Sequence, residues 1–523
     1  MQLKDIFVNL IIIFLIILLI SGWLYYGNNL FNNYNNIFTN NTKRLEIEYF
    51  NENISHNFVP KKNPPGKTVW LLWLQGWNNA PWYIHKIKES WIKYNPDWNI
   101  ELVSQENLSD YININIPINA SHAAISDIIR LNLLFTHGGV WADSTMVCMM
   151  PLDLWVYDVL QPSGFWMYHG PNTHSSDTPA SWFIISMKHN YLITQWRNSC
   201  TNYWENRDSA HQYFWMDELF MNLINTDSIF TNMWRNTPYL NCEDEGQAHM
   251  LAGKCLENDT NLIEILHKKP PFAVKLSRHG APDEITEEFK NTNMYFAIDC
   301  ALNRTNSDFI LPNIIYKPYI NIFNKDRVLV VADCNNGNEI LELITICREN
   351  DIQMIIFDKC NFGKHVSNDL YCRPLKNVGR DAGTFINFVI NNYEYLPQII
   401  YLLPGNIHKH NRIGRFVDIL KNNNDKYNYC SILDGQQDFI LNDYEGVQLE
   451  PASIRPFKKW FEKYIGTWVD NRTGPCWNCV LQTTRDNILK HSKDYYITIN
   501  NELIQGNNLE SVHYVERSMA AIF

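Results

Sequence analysis

Apolar residues dominate the start of the chain, and short apolar stretches then alternate with polar ones. From Ile6 to Tyr26 only a few polar or small residues interrupt the apolar run. A helix of about 20 such residues spans a bilayer, whereas the apolar region of a cleaved signal peptide has only ~7–15. We therefore predict an uncleaved anchor at residues 1–26, in a single-pass type II membrane protein.

Residues 27–66 are polar, rich in asparagine, and include two consecutive prolines near their end. Polar stretches of this kind bury too little apolar surface to form a core. We predict that they form a flexible stem. With a cytoplasmic N-terminus, the rest of the chain would lie in a lumen of the Golgi or endoplasmic reticulum type.

Residues 67–325 contain the first series of predicted strands and helices. Apolar residues at positions 125, 128, 129 and 133 have helical spacing, and two glycines at 138 and 139 can end that helix. Short apolar runs bounded by polar residues indicate strands. The predicted strands are 68–74, 99–103 and 140–142, and the predicted helices are 81–94 and the one around 125–133.

Residues 327–523 repeat the alternation of strands and helices. Such alternation is typical of α/β proteins. We therefore predict an α/β fold with two domains, at 67–325 and 327–523. The predicted strands of the second domain are 327–332, 352–357 and 398–403, and its helices are 338–349 and 382–393.

Three charged residues stand out in the first domain. Asp127 and Arg130 are three positions apart and share one face of the predicted helix. Asp143 lies at the end of the predicted strand 140–142, where α/β sheets bind ligands. Two interpretations remain open: a site for a sugar and a metal ion, or an ordinary helix pair with an acid in a turn. The net charge of −11 argues against nucleic acid as a partner.

The residues around this strand resemble a known family. Ser126-Asp127-x-x-Arg130, followed by Gly138-Gly139-Val140-Trp141-x-Asp143, is similar to the signature of the capsular polysaccharide synthesis family. Its members are glycosyltransferases with a DxD sugar-binding region. The similarity covers about residues 67–280. It implies a GT-A-like nucleotide-sugar-binding domain.

The resemblance also implies a reaction. A sugar would move from a nucleotide-sugar donor to a glycan or glycoprotein acceptor, with retention at the anomeric carbon and help from Mn²⁺ or Mg²⁺. Asp127, Arg130 and Asp143 would be catalytic, and Asp143 and Thr145 would bind the metal. Thr145 stands where a full DxD has its second carboxylate. The residues expected at the donor are Trp73, Gln75, Gly76, Asp127, Arg130 and Gly139.

The second domain carries a different motif, Asn377-Val378-Gly379-Arg380-Asp381, just before a predicted helix. Helix starts favour anions, and Arg380 could hold a phosphate or carboxylate. We predict a candidate anion site with Asn377, Arg380, Asp381 and His408. The other interpretation is a helix capped by Asp381. This part resembles a family of unknown function found in fungal and large-virus proteins.

The missing second carboxylate leaves other functions open. One alternative is a non-catalytic carbohydrate-binding or scaffold protein on a degenerate glycosyltransferase fold. Another places the chemistry in the second domain. Metal-dependent release of a nucleoside diphosphate from a sugar donor would separate the enzyme from the scaffold.

Overall fold

A computed structural model describes most of the chain after residue 59. The described residues are 60–117, 119–170, 178–244, 246–277, 280–305, 309–314, 323, 325–360, 362, 372–422, 429–430, 433–435, 437–469, 473–476 and 479–523. The expected anchor at 1–26, and the stem as far as residue 59, lie outside them. Within the described ranges, no helix is long and apolar enough to cross a membrane. Residues Pro60–Phe523 form one compact unit.

The first sheet has five strands in the spatial order β2-β1-β3-β6-β5. β1 pairs in parallel with both β2 and β3, whereas β6 runs antiparallel to its neighbours β3 and β5. The α/β class expected for this region is therefore confirmed. The strands are β1 Thr68–Leu72, β2 Asn99–Val103, β3 Gly139–Ala142, β4 Met146–Cys148, β5 Phe165–His169, β6 Pro179–Ser186 and β7 Ala273–Lys275.

Helices cover this sheet and fill the stretch between β6 and β7. They are α1 Trp82–Tyr94, α2 His122–His137, α3 Val156–Leu160, α4 Tyr191–Trp204, α5 Trp215–Thr226, α6 Ser228–Arg235, α7 Thr260–Lys268 and α8 Asn293–Asn303.

The helix α2 begins and ends for identifiable reasons. Its start is capped by Ser121, whose Oγ accepts a hydrogen bond from the backbone N–H of Ala124 at 3.2 Å. Gly138 follows the helix with φ 70°, and Gly139 opens β3 with φ 99°, values that glycine adopts without a steric penalty. A Cβ on Gly139 would lie 2.5 Å from the carbonyl oxygen of Thr68. The predicted helix and its glycine end are confirmed.

The strands β4 and β7 form a separate two-stranded ribbon beside the main sheet. They pair antiparallel, with Met146 opposite Lys275 and Cys148 opposite Ala273. The backbone N–H of Leu276 donates to the carbonyl of Thr145 at 3.0 Å. The ribbon therefore fixes Lys275 beside residues that follow β3 in the chain.

The second sheet has six strands in the order β10-β9-β8-β11-β17-β12. β8 to β11 are parallel, and β17 runs antiparallel to β11. The chain winds outward from β8 through β9 to β10 and then crosses to β11 on the other side of β8. The strands of this region are β8 Arg327–Asp333, β9 Gln353–Asp358, β10 Cys372–Pro374, β11 Ile399–Pro404, β12 Tyr429–Cys430, β13 Leu433–Gly435, β14 Asp443–Tyr444, β15 Val447–Gln448, β16 Thr473–Cys476 and β17 Leu481–Thr484.

The helices of this region pack on both faces of its sheet. One hydrophobic cluster contains one face of the second sheet together with residues of the first, and another fills the opposite face. The division into domains at 67–325 and 327–523 stays a prediction. The helices are α9 Gly337–Glu349, α10 Arg380–Asn392, α11 Arg412–Asn422, α12 Phe457–Tyr464, α13 Arg485–Ile488, α14 Lys493–Asn501 and α15 Glu510–Ile522.

Candidate active site

The carboxyl ends of β1 and β3 lie side by side because the two strands are parallel, with Trp70 opposite Trp141. Asp143 follows β3 directly. The hydroxyl of Ser144 donates to the carbonyl of Leu72 at 2.7 Å, which ties the two strand ends together. The Asp143 backbone N–H donates to the backbone carbonyl of Trp182, on β6, at 2.9 Å. The strand edge where the sequence predicted a site therefore exists, with Asp143 on it.

Two cations hold the Asp143 carboxylate. The Lys275 Nζ lies 2.7 Å from Oδ2, and the Arg130 Nη2 lies 3.3 Å from Oδ1. The Trp141 Nε1 also donates to Oδ1 at 3.1 Å. Burial would raise the pKa of Asp143, but Lys275 and Arg130 outweigh burial and hold that pKa below its usual value. Asp143 is therefore a stable anion at neutral pH.

Arg130 connects the two aspartates expected at the site. Its Nη2 lies 3.1 Å from Asp127 Oδ1 as well as near Asp143. Its Nη1 donates to the backbone carbonyl of Ser181 at 2.9 Å. The side chain is 6% exposed, and these contacts of the guanidinium are all with groups of the protein itself. Its expected contact with the donor sugar stays a prediction.

Two further carboxyl groups near Arg130 have pKa values close to neutral pH. Burial raises the pKa of Asp127 to about 6, against the opposing charge of Arg130. Burial and the negative charge of Asp127 raise the pKa of Asp217, on α5, to about 7. The site thus combines one firmly ionised carboxylate with two that can exchange protons near neutral pH.

The predicted metal pair, Asp143 and Thr145, does converge on one point. Lys275 Nζ occupies that point, because it donates to Asp143 Oδ2 at 2.7 Å and to Thr145 Oγ1 at 2.8 Å. Hard divalent cations prefer several oxygen ligands without a competing cation. No group of three or more metal-ligating His, Cys, Asp or Glu side chains occurs among the residues that the structure describes. The side chains present at Asp143 thus fit an ammonium group better than Mn²⁺ or Mg²⁺.

The residues expected at the donor are divided between the two ends of the sheet. Trp73, Gln75 and Gly76 follow β1 on the same edge as Asp143. The Trp73 Nε1 is buried and finds no acceptor within the described ranges. Gly139 opens β3 instead, about 13 Å from Asp143 at ~3.3 Å per residue, where the close approach of Thr68 leaves no room for a side chain. Its expected contact with the donor stays a prediction.

An exposed aromatic pair flanks the charged residues. Tyr213 and Phe214 precede α5, are 75% and 52% exposed, and have ring centroids 5.0 Å apart. Burial of its hydroxyl, and next the negative charge of Asp127, raise the pKa of Tyr213. An aromatic surface therefore borders the charged site.

The candidate anion site in the second region is only partly assembled. Arg380 donates from Nε to the carbonyl of Asn507 at 3.2 Å, and Asn377 accepts at its own carbonyl from the Asn507 side chain at 2.8 Å. His408 lies 3.1 Å from Glu342 on α9. The structure thus engages these three residues with other protein groups.

The expected cap of α10 is wrong. Asp381 lies in the first turn of that helix. Gly379 is the N-cap residue, with φ 67°, and no side chain caps the helix. Burial raises the pKa of Asp381 to about 6, and Glu516 adds to the effect. Arg380 itself has φ 47°, an uncommon value for a residue with a side chain.

Sequence reasoning missed Lys275 and Asp217. Lys275 reaches Asp143 across 132 positions of the chain, and no local spacing connects them. The short apolar run Phe272-Ala273-Val274 before Lys275 was the available signal for a buried strand that ends in a lysine.

A family model described as "Capsular polysaccharide synthesis protein" matches residues 26–287, which is half of the chain. The chain belongs to this family. The match includes Asp127, Arg130, Asp143 and Lys275, so the whole charged cluster lies within the part that the capsular polysaccharide synthesis family shares.

Curated relatives match this capsular polysaccharide synthesis chain over shorter stretches. "Glycosyltransferase afumC" of Aspergillus fumigatus is 26% identical over 121 residues, which is 20% of this chain and 31% of that protein. "Initiation-specific alpha-1,6-mannosyltransferase" of Saccharomyces cerevisiae is 24% identical over 131 residues, or 22% of this chain and 27% of that protein. The chain thus spans less than a third of the length of these relatives.

Among solved structures, "PaToxG Glycosyltransferase" is similar at 14% identity, covering 51% of this chain and 97% of that one. The TM-score is 0.24, too low for a comparison of the two folds.

Proposed function

We propose that this protein is a glycosyltransferase that moves a sugar from a nucleotide-sugar donor to a glycan or glycoprotein acceptor. The observation that carries the proposal is the charged cluster at the carboxyl edge of β1 and β3, where Asp143 is held by Lys275 and Arg130. The family and the names of the relatives support the same class of reaction.

The chemistry follows from where charge develops. The bond between the anomeric carbon and the diphosphate oxygen breaks, and its electron pair stays on that oxygen. The acceptor hydroxyl oxygen forms the new bond to the anomeric carbon, and its proton goes to the departing diphosphate. Positive groups at the leaving diphosphate lower the barrier. The transfer proceeds with retention in this proposal, as the family resemblance implies.

The donor lies along the edge after β1. The Nε1 of Trp73 is buried and has no acceptor among the residues that the structure describes. It offers a hydrogen bond to the nucleotide, because a buried donor without an acceptor is costly in the free protein. The backbone near Gly76, with φ 88°, allows a close approach of the ligand. The divalent ion that the family resemblance implies would have Asp143 and Thr145 as ligands, but the Lys275 ammonium group lies between these two side chains.

The acceptor contacts the exposed aromatic pair. Aromatic faces complement the C–H groups of sugar rings, and Tyr213 and Phe214 present such faces beside the charged cluster. A glycan that stacks there would present a hydroxyl to the donor. Asp217 lies on α5, close to the pair, with a pKa near 7, and accepts a hydrogen bond from that hydroxyl in this proposal.

The enzyme is anchored in a membrane in this proposal. The apolar run at residues 6–26 supports a type II anchor, with the described region in a lumen. The disulfide between Cys334 and Cys360 supports an oxidising compartment. Protease protection of the chain in sealed vesicles is the expected result, and a mature N-terminus between residues 20 and 35 would contradict it.

The experiment is a donor panel on the purified full chain. UDP- and GDP-linked hexoses are each incubated with Mn²⁺ and, separately, with EDTA, and the released nucleoside diphosphate is measured. Release from at least one donor, lost in Asp143→Asn, is the expected result. A panel without release in either condition would favour the non-catalytic carbohydrate-binding alternative.

A further inference from the structure

We propose that the Lys275 ammonium group takes the position and the role of the divalent cation in this enzyme. The inference rests on the proposed glycosyl transfer and names the group that neutralises the leaving diphosphate. It follows from a side chain that is present at the expected metal position, between Asp143 and Thr145.

The distances match the contacts of a bound cation. Lys275 Nζ contacts both of the atoms that the sequence assigns to a metal, at 2.7 Å and 2.8 Å. An ammonium group has three hydrogens to donate, so two are used here and one remains. The side chain is 20% exposed, and in this proposal the third hydrogen donates to a ligand phosphate.

The backbone places Lys275 at this point. Its N–H donates to the carbonyl of Ala248 at 2.8 Å, and the next residue donates to the carbonyl of Thr145 at 3.0 Å. Register in β4–β7 sets Met146 opposite Lys275. The backbone of Lys275 is thus held on both sides of its Cα. Lys268, by contrast, is an exposed helical lysine that pairs with Glu264 one turn away.

The charge balance favours the ammonium over a metal. A divalent ion on Asp143 would come within about 3–4 Å of Lys275 and Arg130, where like charges repel by several kcal/mol at an effective dielectric constant of 20. Thr145 brings no charge, and the nearby Asp127 is already paired with Arg130 at 3.1 Å. With Lys275 in place, each oxygen of Asp143 already has a cationic partner.

Lys275 then acts on the leaving group. As the anomeric bond breaks, negative charge grows on the diphosphate oxygen, and the free N–H of the ammonium donates to a phosphate oxygen. The proton stays on Lys275, so the step adds no proton transfer to the reaction described above. Asp143 orients the ammonium group, and Arg130 keeps Asp143 in place.

The test uses nucleotide binding and metal binding by the full chain. UDP and GDP are titrated by calorimetry in EDTA and in Mn²⁺, and Mn²⁺ binding is followed by electron paramagnetic resonance. We expect one nucleotide to bind in EDTA, with less than a twofold change in Mn²⁺, and no Mn²⁺ bound at Asp143. Lys275→Met should lower that affinity about tenfold or more, in keeping with ~1.4 kcal/mol per factor of ten, and Lys275→Arg should lower it less.

A matched control tests the loss of an ordinary ion pair. Lys67 forms a pair with Asp153 at 2.9 Å, with exposures of 27% and 36%, just before β1 at the opposite edge of the same sheet. Lys67→Met should leave nucleotide affinity unchanged. If Lys275→Met does not fold, the double variant Lys275→Ala with Thr145→Asp replaces it: it restores two carboxylates and should gain Mn²⁺ binding that the natural protein lacks.

The outcomes separate the two proposals. Nucleotide binding or donor release that requires Mn²⁺ and disappears in EDTA would overturn the role of Lys275 and leave the glycosyl transfer standing. Unchanged affinity in Lys275→Met would do the same. Binding of neither nucleotide, with or without Mn²⁺, would overturn both.

Discussion

The two sheets of this protein each end a central parallel strand on an aspartate, and the two aspartates have opposite surroundings. Asp143, after β3, is held by Lys275 and Arg130. Asp333, the last residue of β8, has Asp358 at the end of the neighbouring strand as its charged neighbour. One oxygen of Asp333 accepts from Asn336 at 3.1 Å, and the other finds no donor among the described residues.

The pKa values follow these surroundings. Lys275 and Arg130 overcome burial at Asp143 and lower its pKa, whereas burial and the negative Asp358 raise the pKa of Asp333 to about 6. Lys359 follows Asp358 directly, but its ammonium group donates to the backbone carbonyls of Val378 and Arg380. Both aspartates therefore lie at the end of a strand. The cations beside the carboxylate of Asp143 distinguish the proposed catalytic edge from the other one.

Removal of the charge at Asp143 should have the largest effect. Asp143→Asn leaves Lys275 and Arg130 without their shared anion, so both lose their orientation. We expect transfer to fall about a hundredfold or more, equal to ~2.7 kcal/mol of barrier, with a lower melting temperature because two partly buried cations lose a partner. Donor consumption and thermal unfolding measure the two effects. Near-normal transfer would show that Asp143 is only a turn residue.

Arg130→Lys should have the next largest effect. A lysine cannot reproduce the fork that joins Asp127, Asp143 and Ser181. We expect about a tenfold loss of transfer, or ~1.4 kcal/mol, mainly through kcat, because Arg130 is buried and holds Asp143. Steady-state kinetics on the active donor measures this. A change in donor KM alone would instead support direct contact between Arg130 and the donor, as the sequence predicted.

Asp333→Asn should raise the stability of the protein, in contrast to Asp143→Asn, and should leave transfer unchanged. The folded pKa of about 6 lies above the usual value of 3.8, so the folded state binds the proton more tightly than the unfolded state. The natural protein should therefore lose stability as pH rises from about 4 to 6, and asparagine should remove that loss, a gain of up to about 3 kcal/mol at pH 8. Denaturant unfolding at pH 4.5 and pH 8 measures it. An equal effect at both pH values would contradict the charge argument.

Trp73→Phe should give the smallest effect and sharpen the assignment of the first sheet to the donor. Phenylalanine keeps an aromatic ring and removes only the unpartnered Nε1 donor. A hydrogen bond of ~0.5–1.5 kcal/mol to the nucleotide corresponds to a loss of affinity of about two- to tenfold. Calorimetry with UDP and GDP measures it. Unchanged affinity in Trp73→Phe would place the nucleotide elsewhere.

Local patterns predicted much of the fold and one pair of the site. The strand 99–103 was predicted with its exact ends, and the strand at Arg327 was predicted one residue short of its end. Asp127 and Arg130 could be paired because helical geometry joins positions three apart. Lys275 could not be predicted, since only the long-range pairing of β4 with β7 brings it to Asp143. The cap of α10 was misjudged because a glycine in the left-handed conformation replaced a side-chain cap.

The ribbon of β4 and β7 has a consequence for how the family can diversify. The chain leaves the main sheet after Ser186 and enters the ribbon at Ala273, opposite Cys148. Everything between these points, α4 to α7, is anchored at both ends by backbone hydrogen bonds. A grafted acceptor-binding segment from a homologue can therefore be accommodated there, provided that Ala248 still accepts from the Lys275 backbone N–H and Met146 stays opposite Lys275.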